Sequence, residues 1–120
     1  MVTILDAVGV QKRDEFLDIG SGHGMLVLAA ALLYPHLQAS RGVEIVPHLQ
    51  EQALIYQQQL EEHHHQIKSG SDSSIGTVSS NLADIDLLLG NIYDPDPQLT
   101  SILKRTTIAV CFATTWSRLF

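Results

Sequence analysis

The segment that most constrains the fold is residues 16–24, FLDIGSGHG, near the start of the 120-residue chain. Its first four residues, apolar apart from one aspartate, are typical of a short buried strand. Three glycines then alternate with other residues, and an apolar run that suits a helix begins at Met25. Glycines allow sharp turns and a close approach to a ligand, and a helix start adds partial positive charge. The segment therefore predicts a strand, a cofactor-binding loop and a helix.

Strands and helices alternate along the rest of the chain. Apolar and β-branched runs predict further strands at residues 39–45, 85–89 and 107–112. The helical spacing of apolar residues predicts helices at 1–10, 25–34, 47–60 and 99–105. This alternation predicts an α/β fold with a parallel sheet and right-handed crossovers.

The helix that follows Pro47 is predicted to bury one apolar stripe, while its other face is rich in Gln and Glu. The stripe consists of Leu49, Ala53, Tyr56 and Leu60. The helix runs into three adjacent histidines, His63 to His65. Because consecutive helical residues point about 100° apart, these histidines do not converge on one ion, and we predict no metal site. Residues 67–82, rich in Ser and Gly, are predicted to form a flexible insertion.

The composition fits one domain over residues 1–120, with 45% hydrophobic and 17% charged residues. The formal charge of −6 argues against direct binding to DNA or RNA and is compatible with a basic protein substrate. The single cysteine, Cys111, cannot form an internal disulfide. No apolar run reaches membrane-spanning length, and the N-terminus lacks a signal-peptide pattern, so we expect an intracellular location and no membrane contact.

Four separated segments each follow or end a predicted strand: residues 20–24, Glu44, Asn91 and Thr114. In parallel α/β sheets, ligands lie beyond the carboxyl ends of the strands, where the strand order reverses. We therefore expect these segments to meet at one edge of the sheet and to form the site.

The glycine spacing separates two classes of cofactor. Dinucleotide-binding loops use G-x-G-x-x-G, but here the third glycine, Gly24, comes one position early and Met25 takes its place. Residues 18–24 match D-x-G-x-G-x-G instead, and resemble the first motif of the class I methyltransferases that use S-adenosylmethionine (SAM). Glu44 then stands where an acid would accept hydrogen bonds from the ribose hydroxyls. An NAD(P)-dependent oxidoreductase is the less favoured alternative.

The resemblance narrows to one family. FLDIGSGHGMLVLAAALL, then RGVEI, then a long amphipathic helix resemble the catalytic domain of the non-SET histone lysine methyltransferases, the disruptor-of-telomeric-silencing family. This resemblance implies a Rossmann-like parallel sheet with about four strands present in the order 3-2-1-4 and its C-terminal strands missing. We therefore expect the chain to be a fragment, a partial SAM-binding domain that is inactive by itself.

The same resemblance implies SAM as the cofactor and suggests the site residues. The methionine end of SAM would be held by Asp18, Gly20, Ser21, Gly22 and Gly24. Glu44 would hold the ribose, and Asn91 with Ile92 would meet the adenine. The implied activity is methyl transfer to a lysine of a protein such as a histone, in the nucleus if the histone resemblance holds and in the cytoplasm otherwise.

Two positions depart from the family. Asn91 stands where the family commonly has an aspartate, and Ala113 with Thr114 stands where its histone enzymes carry an asparagine pair. Thr114 and Trp116 are our candidate positions along a substrate channel. These departures leave open a non-catalytic or degenerate SAM-binding module as the alternative. The residues indicate neither the proton acceptor nor the oligomeric state.

Overall fold

A computed structural model of the chain describes residues 2–69 and 82–112. The strands are β1 (Glu15–Ile19), β2 (Ala39–Glu44), β3 (Ile85–Leu89) and β4 (Ile108–Cys111), and the helices are α1 (Val2–Val8), α2 (Met25–Leu33), α3 (Pro47–Ser69) and α4 (Pro97–Arg105). Each predicted strand and helix is present, with small shifts at the ends. The largest difference is in α3, which includes residues 67–69 of the predicted insertion. Residues 70–81 lie outside the described residues.

The four strands form one parallel sheet in the order β3-β2-β1-β4. The predicted order is confirmed. Asp18 in β1 lies in register with Gly42 in β2 on one side and with Val110 in β4 on the other. The strand order reverses between β1 and β4, so the end of β1 lies at the position where parallel sheets bind ligands.

The core has two parts, one on each face of the sheet, because alternate residues of a strand point to opposite faces. On one face, α1 and α2 cover a cluster that consists of Leu5, Phe16, Ala30, Ala31, Tyr34, Leu37, Ala83 and Ile108. On the other face, α4 packs its residues Leu99 and Ile102 against Leu17 of β1 and Val43 of β2. Asp96 caps the start of α4 by accepting a hydrogen bond from the Leu99 amide at 2.8 Å. Within the described ranges no helix combines the length and apolarity needed to cross a membrane.

The buried face of α3 differs from the predicted stripe. Tyr56 is 42% exposed, whereas Gln50 is 6% exposed. Gln50 Nε2 donates to the Leu87 carbonyl at 2.7 Å, and Gln57 Nε2 donates to the Ile85 carbonyl at 3.4 Å. Neighbouring carbonyls along a strand point to opposite sides, and the Asp84 carbonyl points towards β2, where it accepts the Ser40 amide. The carbonyls of Ile85 and Leu87 therefore point away from β2. The two glutamines therefore cover the outer edge of β3. A prediction based only on the spacing of apolar residues does not find this role, because the contacts are made by polar side chains.

A buried arginine joins three strands at the other end of the sheet from the glycine loop. Arg41 is 8% exposed. Its guanidinium donates to Glu15 of β1 at 2.6 Å and to Asp86 of β3 at 3.0 Å. The Glu15 side chain is itself only 15% exposed, so the Arg41 charge compensates a carboxylate that water cannot fully solvate.

Replacing Arg41 with methionine is expected to lower the free energy of unfolding by about 2–3 kcal/mol. This is less than the roughly 3–5 kcal/mol for a fully buried pair, because Arg105, 3.8 Å from Glu15, still compensates part of its charge. Urea denaturation followed by circular dichroism measures the change. The control is Asp86→Asn, which is expected to change stability by less than about 1 kcal/mol because the Asp86 side chain is 55% exposed. Equal losses in the two variants would show that burial of Glu15 is not the cause.

Candidate functional site

The glycine loop, residues 20–24, is anchored on the end of β2. The amides of Gly20 and Ser21 both donate to the Val43 carbonyl, at 2.9 and 3.1 Å. The loop closes where the Gly24 amide donates to the Ser21 carbonyl at 2.9 Å, and α2 begins immediately afterwards. Gly22 and Gly24 have φ angles of 57° and 79°, a conformation that side-chain-bearing residues rarely adopt. The predicted strand, loop and helix are therefore present.

The loop packs so closely on β2 that Gly42 leaves no room for a side chain. A Cβ built at Gly42 would lie 2.6 Å from Ser21 Cβ and 2.8 Å from Val27 Cγ2. Gly24 is also close to its neighbours, since a Cβ there would lie 3.1 Å from Ala53 Cβ on α3. Gly42 thus sets the height of the loop above the sheet. Sequence reasoning noted the GVE segment but did not identify this packing role.

Glu44 connects the glycine loop to the turn between β2 and α3. Its side chain is buried, with the residue 6% exposed. Glu44 Oε1 accepts the Gly22 amide at 2.7 Å, and Oε2 accepts the amides of Ile45 and Val46, each at 3.0 Å. Three amide donors stabilise a carboxylate, so this negative charge is compensated by the backbone alone.

Asp18 lies beside Glu44 on the same face of the sheet and is 5% exposed. Within the described ranges no group donates a hydrogen bond to its carboxyl. Burial, and to a smaller extent the nearby charge of Glu44, together raise the pKa of Asp18 to about 7. Asp18 is therefore poised between its neutral and ionised forms near neutral pH.

Two other side chains of the loop differ in their surroundings. Ser21 is 7% exposed, and its Oγ is buried without a hydrogen-bond partner among the described residues. His23 is exposed, and its ring meets the Tyr56 ring edge-on with centroids 6.3 Å apart. His23 thus contacts α3, while the Ser21 hydroxyl is buried over Gly42 with its hydrogen-bonding capacity unused.

The end of β3 lies next to Glu44. The Gly90 amide donates to the Glu44 carbonyl at 2.9 Å, which places Asn91 and Ile92 at the same edge of the sheet. Asn91 Oδ1 accepts the Tyr93 amide at 2.9 Å and so shapes the turn after β3. Both Asn91 and Ile92 are half-buried.

Eight predicted site residues therefore meet at the carboxyl edge, the edge where β1, β2 and β3 end. They are Asp18, Gly20, Ser21, Gly22, Gly24, Glu44, Asn91 and Ile92. Thr114 and Trp116, the predicted channel positions, lie outside the described residues, as does Ala113. The structure adds Gly42 to the predicted set.

Two cavities in the described part of the chain lie at the opposite edge of the sheet. One, of about 550 Å³, is bordered by Arg41, His64 and residues 82–86, and the other, of about 410 Å³, by Lys12, His36 and residues 82–84. Neither includes a residue of the predicted site. Among the described residues no group of three or more His, Cys, Asp and Glu side chains is arranged to hold a metal ion.

The charge at the carboxyl edge disfavours an anionic ligand group near β1. Two carboxyl groups, Asp18 and Glu44, lie there together. The buried guanidinium of Arg41 is engaged by Glu15 and Asp86 at the other end of the strands. A pyrophosphate beside Asp18 and Glu44 would meet like charge, which agrees with the glycine spacing in arguing against a dinucleotide.

Comparison with solved structures supports the fold. The YcgJ protein from Bacillus subtilis superimposes with a TM-score of 0.52 and 18% sequence identity, over 79% of this chain and 32% of that one. The chain thus spans about a third of the length of that structure. At this identity the likeness concerns the fold, which is the Rossmann-like α/β fold expected from the sequence. No curated protein matches the chain.

The sequence pattern of one protein family matches most of the chain. This family is described as histone methylation protein DOT1, and the match covers residues 1–106. The matched part contains β1 to β3, the glycine loop and Glu44. The chain belongs to the DOT1 histone methylation family.

Proposed function

We propose that this chain forms the cofactor-binding part of a SAM-dependent methyltransferase that acts on a lysine of a protein. The observation that carries the proposal is the D-x-G-x-G-x-G loop fastened to Glu44 by the Gly22 amide. Membership of the DOT1 family supports histone methylation as the kind of activity. Use of SAM and the choice of lysine are the further steps that we propose.

The residues present fit SAM. The buried Ser21 hydroxyl has no hydrogen-bond partner among the described residues, and the Asp18 carboxyl is buried beside Glu44. Both therefore have hydrogen-bonding capacity that polar groups of a ligand can use. A Cβ built at Gly22 would have nothing within 4 Å, so the loop faces open space at that point. SAM carries an ammonium, a sulfonium and one carboxylate. The two cations suit a site whose two acidic side chains are Asp18 and Glu44, and the carboxylate suits the backbone amides at the start of α2.

In the proposed arrangement each part of the cofactor meets a separate segment. The methionine end is held by Asp18, Gly20, Ser21, Gly22 and Gly24. Glu44 holds the ribose through the acceptor capacity left on Oε1, which accepts only the Gly22 amide, and Asn91 with Ile92 meets the adenine. The Asn91 side-chain oxygen already binds the Tyr93 amide, so its amino group is the part available to the adenine edge.

Bound SAM supplies an activated methyl group, and the protein has to orient the acceptor and exclude water. Orientation of this kind lowers barriers by up to about 7–11 kcal/mol in well-aligned systems. Gly42 and Gly24 fix the height and tilt of the loop, and Glu44 fixes its tip, so these residues set where the cofactor lies. The lysine must lose its proton before it attacks. We propose Thr114 and Trp116 as positions along its channel.

The substrate class follows from the family and the charge. The family name points to a histone, and a chain with a formal charge of −6 is compatible with a basic partner. A histone substrate would place the protein in the nucleus. These statements about substrate and location are proposals for the whole protein, since the chain spans only part of the length of its structural relative.

A second candidate function is a module that binds SAM without transferring its methyl group. The observation that favours it is the departure of Asn91, Ala113 and Thr114 from the family pattern. The two functions differ in one readout. A catalytic protein transfers labelled methyl groups from SAM to histone peptides, whereas a binding module binds SAM and transfers none.

Thermal unfolding in the presence of SAM or NAD tests the proposal. A ligand at ten times its Kd stabilises a protein by about 1.4 kcal/mol, which corresponds to roughly 5–10 °C in Tm for a domain of this size. SAM, raised to roughly ten times its Kd, is expected to produce this shift, and NAD at the same concentration is expected to produce none. A shift with NAD and none with SAM would favour the oxidoreductase alternative and contradict the proposal.

A further inference from the structure

Two Lys-Arg pairs precede two neighbouring strands at the amino edge, the edge of the sheet where the strands begin. The first pair opens the segment KRDEF, residues 12–16, which leads into β1, and the second opens KRTTI, residues 104–108, which leads into β4. Phe16 and Ile108, the fifth residues of the two segments, lie in register in the sheet. The pairing of β1 with β4 therefore brings four cations together. This Lys-Arg cluster consists of Lys12, Arg13, Lys104 and Arg105.

Hydrogen bonds hold the two segments together directly after the cations. The Thr107 amide donates to the Glu15 carbonyl at 3.0 Å, and the Glu15 amide donates to Thr107 Oγ1 at 2.9 Å. Thr107 Oγ1 in turn donates to Asp14 Oδ1 at 2.9 Å. The positions of the two Lys-Arg pairs relative to each other are thus set by the sheet and by these contacts.

The acidic side chains beside the Lys-Arg cluster are occupied by other partners. The Asp14 carboxylate accepts the Gln11 amide at 2.7 Å as well as the Thr107 hydroxyl. Glu15 binds the buried Arg41 at 2.6 Å and is 3.8 Å from Arg105. The Arg105 side chain is still 54% exposed, and the other three cations of the cluster are exposed too. Much of their positive charge is therefore presented to solvent.

The fold separates charges that the sequence total adds together. Among the side chains that the structure describes, every Lys and Arg lies towards the amino edge, whereas the carboxyl edge carries Asp18 and Glu44. The formal charge of −6 argues against binding to nucleic acid, but it is a sum over the whole chain. Binding depends instead on the local arrangement of cations on the surface.

We propose that the Lys-Arg cluster binds the phosphate backbone of a nucleic acid. Each DNA strand carries one charge per about 3.4 Å of helix axis, and neighbouring strands of a sheet lie about 4.8 Å apart. Cations on β1 and β4 can therefore meet separate phosphates. Exposed Lys and Arg side chains of this kind contact the backbone without reading the base sequence. The cluster lies at the opposite edge from the glycine loop, so this inference does not rest on SAM binding.

A nucleic acid fits the cluster better than an acidic protein segment does. The phosphates of a duplex are held at a regular spacing, whereas a flexible acidic peptide has to lose conformational freedom when it binds. Two of the four cations are arginines, whose planar guanidinium can donate two parallel hydrogen bonds to one phosphate. The cluster itself is held by the paired strands, so little ordering is needed on the protein side.

The test is an amide-resolved NMR titration of the whole chain with a short DNA duplex of mixed sequence at low salt. We expect chemical-shift changes at residues 12–14 and 104–107, and none at Gly22 or Gly24. The same titration at several salt concentrations gives the slope of log K against log salt. Each phosphate contact contributes about −0.9 to this slope, so we expect a value of about −2 to −4.

One variant on each strand and one control assign the binding to the Lys-Arg cluster. Arg13→Gln and Arg105→Gln are each expected to weaken duplex binding by roughly fivefold to tenfold at low salt and to make the slope shallower by about 1. Both side chains are exposed, so both variants are expected to keep the circular dichroism spectrum of the parent. Lys68→Gln removes the same charge from the last turn of α3 and is expected to keep the parent's slope.

Three outcomes would overturn the inference. The first is a duplex that leaves the amides of residues 12–14 and 104–107 unchanged at low salt. The second is a loss of binding in Lys68→Gln as large as that in Arg13→Gln, which would assign the effect to total charge. The third is tighter binding of poly-glutamate than of the duplex at equal charge concentration, which would identify an acidic protein as the partner. None of these outcomes bears on SAM binding at the carboxyl edge.

Discussion

Replacing Glu44 with glutamine is expected to weaken SAM binding at least about tenfold and to lower the free energy of unfolding by about 2 kcal/mol. The carboxylate accepts the amides of Gly22, Ile45 and Val46. A glutamine keeps one acceptor oxygen, but its amino group is a donor. This amino group would face either the Gly22 amide or the amides of Ile45 and Val46, which then lose their acceptor. A buried donor left without a partner costs about 1–3 kcal/mol, and losing a hydrogen bond to a charged group is of similar size.

The two effects of Glu44→Gln are measured separately, by urea denaturation without ligand and by SAM titration of the folded variant. Glu51→Gln is the matched control, because Glu51 is exposed in the first turns of α3. It is expected to change both quantities little. If Glu44→Gln kept the parent's SAM affinity, the proposed ribose contact and the fixed loop tip would both be wrong.

Replacing Gly42 with alanine is expected to displace the glycine loop and to weaken SAM binding by about tenfold to a hundredfold, since misplaced binding groups lose orientation. The added Cβ would lie 2.6 Å from Ser21 Cβ and 2.7 Å from Ser21 Oγ, so Ser21 has to move. The Val27 side chain, 2.8 Å away, limits movement in the other direction. Overpacking of this kind also lowers stability by about 1–3 kcal/mol.

Gly90→Ala is the matched control for Gly42→Ala. A Cβ at Gly90 would make ordinary contacts, 3.4 Å to Leu99 and 3.5 Å to Val43. This variant is expected to keep the free energy of unfolding and the free energy of SAM binding of the parent, each within about 0.5 kcal/mol. Retention of full SAM affinity in Gly42→Ala would show that the height of the loop above β2 does not set the site.

Much of the fold follows from local patterns in the sequence. The glycine loop is predictable because its apolar strand, alternating glycines and apolar helix agree with one another. The parallel sheet follows from the alternation of strands and helices, whereas the order β3-β2-β1-β4 came from the family resemblance. The meeting of the loop, Glu44 and Asn91 at one edge follows from parallel strands sharing a carboxyl edge.

Other features depend on contacts that no local pattern encodes. The role of Gln50 depends on the outward carbonyl of Leu87, which is known only once β3 is placed at the sheet edge. The raised pKa of Asp18 depends on its burial and on Glu44 lying beside it on the neighbouring strand, although the two residues are far apart in sequence. The packing role of Gly42 depends on how closely Ser21 approaches β2. Each requires the tertiary structure.

The central claim is that the glycine loop and Glu44 together hold SAM, and an amide-resolved NMR titration of the isotope-labelled chain with SAM tests it most directly. The predicted result is a set of chemical-shift changes at the amides of Gly22, Gly24 and Ile45; those of Gly22 and Ile45 donate to Glu44 in the ligand-free structure. No change is expected at the amides of Lys12 or His36, at the opposite edge of the sheet. Shifts confined to Lys12, His36 and their neighbours, with the loop amides unchanged, would contradict it.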